Sequence, residues 1–239
     1  MFDAHVHLDF LPAAEAAEYV RRARGAGVSG FAIPGVSPGQ WANARDLAAQ
    51  TQGSDWGCGI HPEYATASSA DDASGLVQFA KEHRPAFIGE TGLDARLEAE
   101  FPSDAQEELF MSHVALAEAL ELPLVVHSVR RHARVLQLLE GRDVRGMVHG
   151  FIGSPETAAR FFARGWMLSA GKGAMRSPKT KRAFASAPLH QVLVESDEPG
   201  ENSDVPEVTK WLSQQRGLAL RSVAAQIHTN AEVLFTSGR

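Results

Sequence analysis

Phe2-Asp3-Ala4-His5-Val6-His7 (FDAHVH, residues 2–7) opens the chain, and its alternation sets how everything after it is read. His5 and His7 are two apart, so on a strand both imidazoles project from one face. The same kind of ending recurs further on. His61 closes GIH at 59–61, Glu90 follows FIG at 87–89 and His127 closes LVVH at 124–127. His149 closes MVH at 147–149, and Asp197 closes VLVESD at 192–197. Imidazole and carboxylate suit divalent ions such as zinc, manganese or magnesium. Repeated at the C-terminal ends of successive strands, they read as one metal site assembled from the whole chain.

Working outward, eight β-like runs are expected at 2–7, 28–35, 55–61, 86–91, 123–128, 145–151, 166–171 and 192–197. Between them lie amphipathic stretches. Residues 12–26 are rich in Ala, Arg and Glu, and 103–121 carry Asp104 and Glu107 near the start, favourable at a helix N-terminus. Ser154-Pro155 and Ser177-Pro178 pair an N-cap with proline at the first helical position. Residues 206–235 hold two more helices, broken near Gly217. Strands alternating with helices imply parallel pairing through βαβ crossovers. Eight such units in 239 residues match a TIM-type (β/α)8 barrel with its site at the C-terminal ends of the strands. A doubly wound open sheet is the alternative, disfavoured because no GxGxxG follows the first strand. Without a composition break or short repeat, residues 1–239 read as one domain.

The bulk composition excludes several classes. Hydrophobic content of 44% and charged content of 22% are those of an ordinary globular protein, and no apolar run is long enough to cross a bilayer. No signal peptide is visible, and Cys58 is the only cysteine, so a reducing, cytoplasmic setting is expected. Cys58 lies in an apolar run and reads as a packed residue rather than a nucleophile. A formal net charge of −6 argues against a passive nucleic-acid binder working through bulk positive charge.

A lone histidine near a strand end is usually a hydrogen-bonded structural residue, and His83, His113, His132, His190 and His228 fit that background. The joint placement of the others does not. His5 and His7 can hold one ion, with Asp197 reaching it because strands 1 and 8 are neighbours in a closed barrel. His127 and His149 can hold a second, and Glu90 can bridge both with its two oxygens. Two divalent ions (Zn, Mn, Mg or Ni) are therefore expected. Asp197 and Glu90 are the candidate catalytic carboxylates, Asp197 accepting the proton of a metal-activated water. Glu195 shares the face of Asp197 and is either a partner of a ligand or an interior barrel carboxylate. Asp94 is expected to order its loop or to orient a ligand histidine, with Asp3 and Asp9 lesser cases of the same kind.

At these residues the chain resembles the TatD family of metal-dependent deoxyribonucleases, within the amidohydrolase-like barrels. The resemblance runs through DAHVHLDF (3–10), GIHP (59–62), IGETGLD (88–94), PLVVHS (123–128), the stretch 148–173 and VLVESDEP (192–199), and closes on Asn230, Leu234 and Phe235. It implies that His5, His7, Glu90, His127, His149 and Asp197 are metal ligands, with Asp197 the proton acceptor. It also implies hydrolysis of phosphodiester bonds, commonly as a 3′→5′ exonuclease on single-stranded DNA. The chain departs from the family pattern around the substrate. Val129 occupies the slot where the family often has Arg, with Arg130 and Arg131 following. The loop after DEP is short and acidic, and Ala95-Arg96-Leu97-Glu98 replaces an aromatic run.

DNA is the expected partner. His61 is a candidate for holding a water or a phosphate oxygen, and Arg130 and Lys172 for contacting phosphate. Aromatic platforms for unpaired bases are few, and Trp41, after strand 2, is the one expected on the active face, whereas Trp166 reads as packing. Two other functions stay open. One is hydrolysis of another ester or amide on the same barrel, including deacylation of a charged RNA. The other is a nucleic-acid-handling subunit of a larger assembly, against which the ligand set argues, since a binding module needs no such convergence.

Overall fold

The computed structural model describes residues 1–65 and 69–236. Eight strands follow one another in chain order around a single parallel sheet, β1 to β8. They are β1 (Phe2–Asp3), β2 (Gly30–Gly35), β3 (Asp55–Cys58), β4 (Phe87–Asp94), β5 (Leu124–Val129), β6 (Gly146–Val148), β7 (Met167–Ala170) and β8 (Val192–Val194). The sheet closes between its last and first strands. Ala4 N donates to the Val194 carbonyl at 2.9 Å, and Val6 bridges Asp197 in parallel. The architecture is the (β/α)8 barrel expected from the alternation of elements.

Helices cover the outside: α1 (Ala13–Gly25), α2 (Trp41–Gln50), α3 (Ser69–His83), α4 (Ser103–Leu120), α5 (His132–Leu138), α6 (Pro155–Ala163), α7 (Pro178–Ser186), α8 (Val205–Arg216) and α9 (Leu220–Thr236). Both Ser-Pro signatures are N-caps. The Ser154 hydroxyl accepts from Thr157 N and the Ser177 hydroxyl from Thr180 N. Gly217, at φ 61, ends α8 in the left-handed conformation that favours glycine. The last helix seals one mouth of the barrel. Ala231, Leu234 and Phe235 are buried with Phe2, Phe87, Val125, Met147 and Leu193 in one apolar cluster, the Phe235 ring stacked 5.8 Å from that of Phe2. Asn230 fixes this plug by donating to the carbonyls of Leu189 and Val192.

With the N-terminal mouth plugged, the C-terminal rim is free to carry polar groups. Most strands are shorter than their apolar runs suggest. His5, His7, His61, His149 and Asp197 all lie just past the last ladder residue of their strands. Imidazoles turned toward one another in the barrel mouth take their backbone off the regular ladder. The exceptions are β5, which keeps His127 within the ladder, and β4, which runs on to Asp94. Its pairing with β5 shifts register between Ile88 and Thr91, where Glu90 sits. Gly92, at φ 144, makes that approach possible, since a Cβ there would collide with the His127 carbonyl. Trp166 is fully buried, its indole donating to the Val144 carbonyl, and Cys58 is buried in the core. Among the described residues no helix is long and apolar enough to cross a membrane.

Candidate metal centre

Glu90 occupies the middle of the rim, buried, with imidazoles on both sides. Its Oε2 lies 3.3 Å from His5 Nε2 and 3.3 Å from His7 Nε2, and those two nitrogens are 3.2 Å apart. Asp197 Oδ1 lies 3.7 Å from each of the same nitrogens. Four donor atoms held about 2.0–2.2 Å from one ion in a tetrahedron are roughly 3.3–3.6 Å from each other. The measured separations span that range. The other oxygen of Glu90 faces a different set. Oε1 is 2.9 Å from His127 Nδ1 and 2.8 Å from His149 Nε2, with 3.1 Å between the nitrogens. The two sets adjoin, since the His5 and His149 rings stack with centroids 3.9 Å apart.

The charge balance of the pocket is that of a cation site. Burial alone would raise the Glu90 carboxyl, but His149, His5 and His61 around it hold it well below the usual carboxylate range. Burial likewise works against the ionised form of Asp197, and His149 and His5 override it to keep that carboxyl low. Burial opposes charge on His149 too, yet Glu90 and Glu195 push it well above the ordinary histidine value. Glu90 and Asp197 thus present ionised oxygens among imidazole nitrogens, the donor types that a divalent ion takes. The residues present therefore fit the metals that the sequence implies.

Carboxylates behind the imidazoles hold the rings in place. Asp94 Oδ2 is 3.0 Å from His127 Nε2, and Arg96 braces Asp94 through Nε at 3.1 Å. Glu195, fully buried, has Oε1 3.4 Å from His149 Nδ1, which makes it the partner of that ring rather than of a neighbouring strand. Asp9 Oδ1 lies 4.0 Å from His7 Nδ1, and burial pushes its carboxyl up to about 6. Asp3 does a backbone task instead. It accepts from Ser196 N at 2.9 Å, and burial pushes it up to about 7. Asp197 itself is clamped between the two N-terminal histidines. Its N–H donates to the His5 carbonyl at 2.9 Å, and His7 N donates to its carbonyl at 3.0 Å. Its φ is 63, a left-handed position that aspartate tolerates better than most residues.

His61 joins the same rim, with Nε2 3.6 Å from Glu90 Oε1. Its Nδ1 accepts from Glu63 N, so the neutral ring carries its proton on Nε2, toward the centre. Burial pushes it down to about 3, against the pull of Glu90. The basic residues divide. Arg131 pairs with Glu98 and Arg134 with Glu107, whereas Arg130 has no ion-pair partner among the described residues. The Lys172 ammonium is held by Asp204 at 2.6 Å and lies 3.6 Å from Glu207. The short acidic loop after DEP thus engages the cation expected to meet phosphate.

One expectation is corrected. Trp41 is buried at the start of α2, its indole donating to the Gly59 carbonyl at 2.7 Å, because it packs the strand-end glycines rather than facing solvent. An exposed aromatic of the rim is Phe10, 51% exposed, its ring parallel to that of His7 at 4.8 Å. Its place three residues after His7 was the available signal in the sequence.

Barrel and donor set together define a metal-dependent hydrolase. The family model for TatD related DNase matches residues 2–236. The chain is 33% identical over 206 residues to the metal-dependent hydrolase YjjV of Escherichia coli (strain K12), covering 82% of this chain and 78% of that protein. It is 28% identical over 262 residues to the 3′-5′ ssDNA/RNA exonuclease TatD of Pantoea vagans (strain C9-1), covering 98% and 99%. The crystal structure of Escherichia coli YjjV superimposes with a TM-score of 0.90 over 99% of this chain and 98% of that one, at 28% identity. The chain belongs to the TatD-related DNase family.

Proposed function

We propose that the protein removes nucleotides from the 3′ end of single-stranded DNA by hydrolysing phosphodiester bonds with two divalent ions. The observation that carries this reading is the divided carboxylate of Glu90, one oxygen facing His5 and His7, the other His127 and His149. In this assignment His5, His7, Asp197 and Glu90 would hold one ion, and His127, His149 and Glu90 would hold the other. Bound there, such ions lower the pKa of a water so that hydroxide is present near neutral pH. Asp197, whose side chain is 45% exposed, is the carboxylate open to the substrate side and takes the proton. His61 offers its Nε2–H to a phosphate oxygen or a water.

Two features of the rim favour a nucleic-acid strand over a small ester or amide. Phe10 presents an aromatic face to solvent beside His7, suited to an unpaired base. Arg130 stands unpaired beside the centre, suited to backbone phosphate. The name of the Pantoea relative points to the same substrates. Buried Cys58, with no second cysteine to pair with, fits a reducing compartment such as the cytoplasm.

The reading is tested by stripping the protein with a chelator and restoring Zn, Mn, Mg or Ni one at a time. Single-stranded DNA labelled at either end, duplex DNA, RNA, a carboxylic ester and an amide are assayed in parallel. Metal-dependent release of mononucleotides from the 3′ end is expected. Hydrolysis of the ester or amide with intact oligonucleotides would overturn the proposal.

A further inference from the structure

A cavity of about 640 Å³ opens beside the metal centre. Its wall begins where two ligand strands end, for Ser128 follows His127 and Gly150 follows His149 in the chain. Arg96, Arg130 and Lys179 line it, and no Asp or Glu is among its lining residues. In a chain of net charge −6 that is a local reversal of sign. The polar groups of the wall are sorted. Arg96 is committed to Asp94. The His132 ring is fixed by the Ser128 hydroxyl at 2.6 Å and lies 3.2 Å from the Ile152 carbonyl. The Ser154 hydroxyl caps α6. Arg130 and Lys179 are exposed and have no ion-pair partner among the described residues.

The chain spends conformational energy to arrange this. Arg130 has φ 56, a left-handed position that disfavours a non-glycine residue. The turn comes immediately after β5, at the head of the run Arg130-Arg131. Arg131 and Arg134 are neutralised on Glu98 and Glu107, while Arg130 is left in the cavity.

We propose that this cavity is an anion subsite that takes a non-scissile phosphate of the substrate strand, with Arg130 and Lys179 supplying the charge. The identity of the anion rests on the nuclease reading above. The forked guanidinium of Arg130 and the ammonium of Lys179 meet a phosphodiester from two places, the turn after β5 and α7, so the strand is gripped at a linkage other than the bond that breaks.

The experiment uses oligodeoxynucleotides in which one linkage at a time is a neutral methylphosphonate, with the wild-type metal-loaded enzyme and an Arg130→Ala/Lys179→Ala variant. In the wild type, neutralising one particular non-scissile linkage should lower kcat/KM roughly ten-fold or more. The variant should have a raised KM, a salt slope shallower by about one per cation removed, and no response to that neutral linkage. Equal tolerance of neutral linkages at every non-scissile position by the wild type, or equal sensitivity of the two proteins, overturns the subsite and leaves the nuclease reading intact. If no oligonucleotide is cleaved, the nuclease reading fails and the cavity is judged by binding. Inorganic pyrophosphate is titrated into both metal-stripped proteins, with circular dichroism checking the fold. Binding roughly ten-fold weaker in the variant supports an anion site, and equal binding removes it.

Discussion

Asp94 Oδ2 sits 3.0 Å from His127 Nε2, on the edge of the ring opposite the nitrogen that faces Glu90 and His149. That contact sets the ring's tautomer and orientation and makes Nδ1 a better donor toward the centre. Asp94→Asn keeps the shape and removes the charge. Metal affinity should fall roughly 10–100-fold, read by competition with a chromophoric chelator. Unchanged affinity would reduce Asp94 to the partner of Arg96.

Asp197→Asn should lower kcat by roughly 10²–10⁴-fold while the protein still folds. Metal content has to be measured alongside, since Asp197 also faces His5 and His7. Recovery of the full rate at high metal concentration would leave Asp197 a ligand only.

Removing metal should destabilise the fold. The donors come from strands distant in sequence, so ions bind the folded chain and not the unfolded one. At a thousand-fold excess over Kd such binding is worth about 4 kcal/mol, and the loss should lower Tm by on the order of 10 °C. Calorimetry before and after chelation, and after re-addition of metal, reads it.

His113 gives the stability a pH dependence of its own. It is fully buried on α4, with Nε2 accepting from Ile60 N at 2.9 Å and Nδ1 donating to the Leu109 carbonyl at 2.7 Å. Burial pushes it from the usual 6.5 down to about 4. Above pH 6.5 the ring is neutral in both states and the fold keeps its full stability. As pH falls from 6.5 toward 4, the unfolded chain binds a proton that the folded one refuses, and stability drops by up to about 3 kcal/mol. Denaturant titrations across that window should show the slope in the wild type and a slope shallower by one proton in His113→Gln.

Phe10→Ala should raise KM for single-stranded DNA roughly ten-fold through the loss of one stacked base, with kcat little changed. A small aryl phosphodiester without a nucleobase is the comparison. An equal loss on that substrate would show that Phe10 only supports the His7 ring.

The barrel was legible because its strands alternate with capped amphipathic helices, and local chemistry is enough to mark both. Ser154 and Ser177 cap their helices as their spacing with Pro155 and Pro178 predicts. The convergence of His5, His7, Glu90, His127, His149 and Asp197 followed from the rule that parallel barrels collect strand ends on one rim. The surface around the site was less legible. Trp41 is buried and Phe10, for which the sequence offered no reading, is exposed, since exposure depends on which wall of the fold lies behind a ring. Lys172 and Arg130 look alike in the sequence, but only Lys172 meets an acidic partner, Asp204, from a loop more than thirty residues further along.

By itself, the sequence determined the order of the elements, the parallel closure of the sheet and the set of donors at the strand ends, because periodicity and ligand chemistry are local properties. The tertiary structure alone decided how the two oxygens of Glu90 are divided, which carboxylate backs which imidazole and which cations stay unpaired. Those depend on distances of about 3 Å between residues far apart in the chain, and such distances exist only once the barrel has closed.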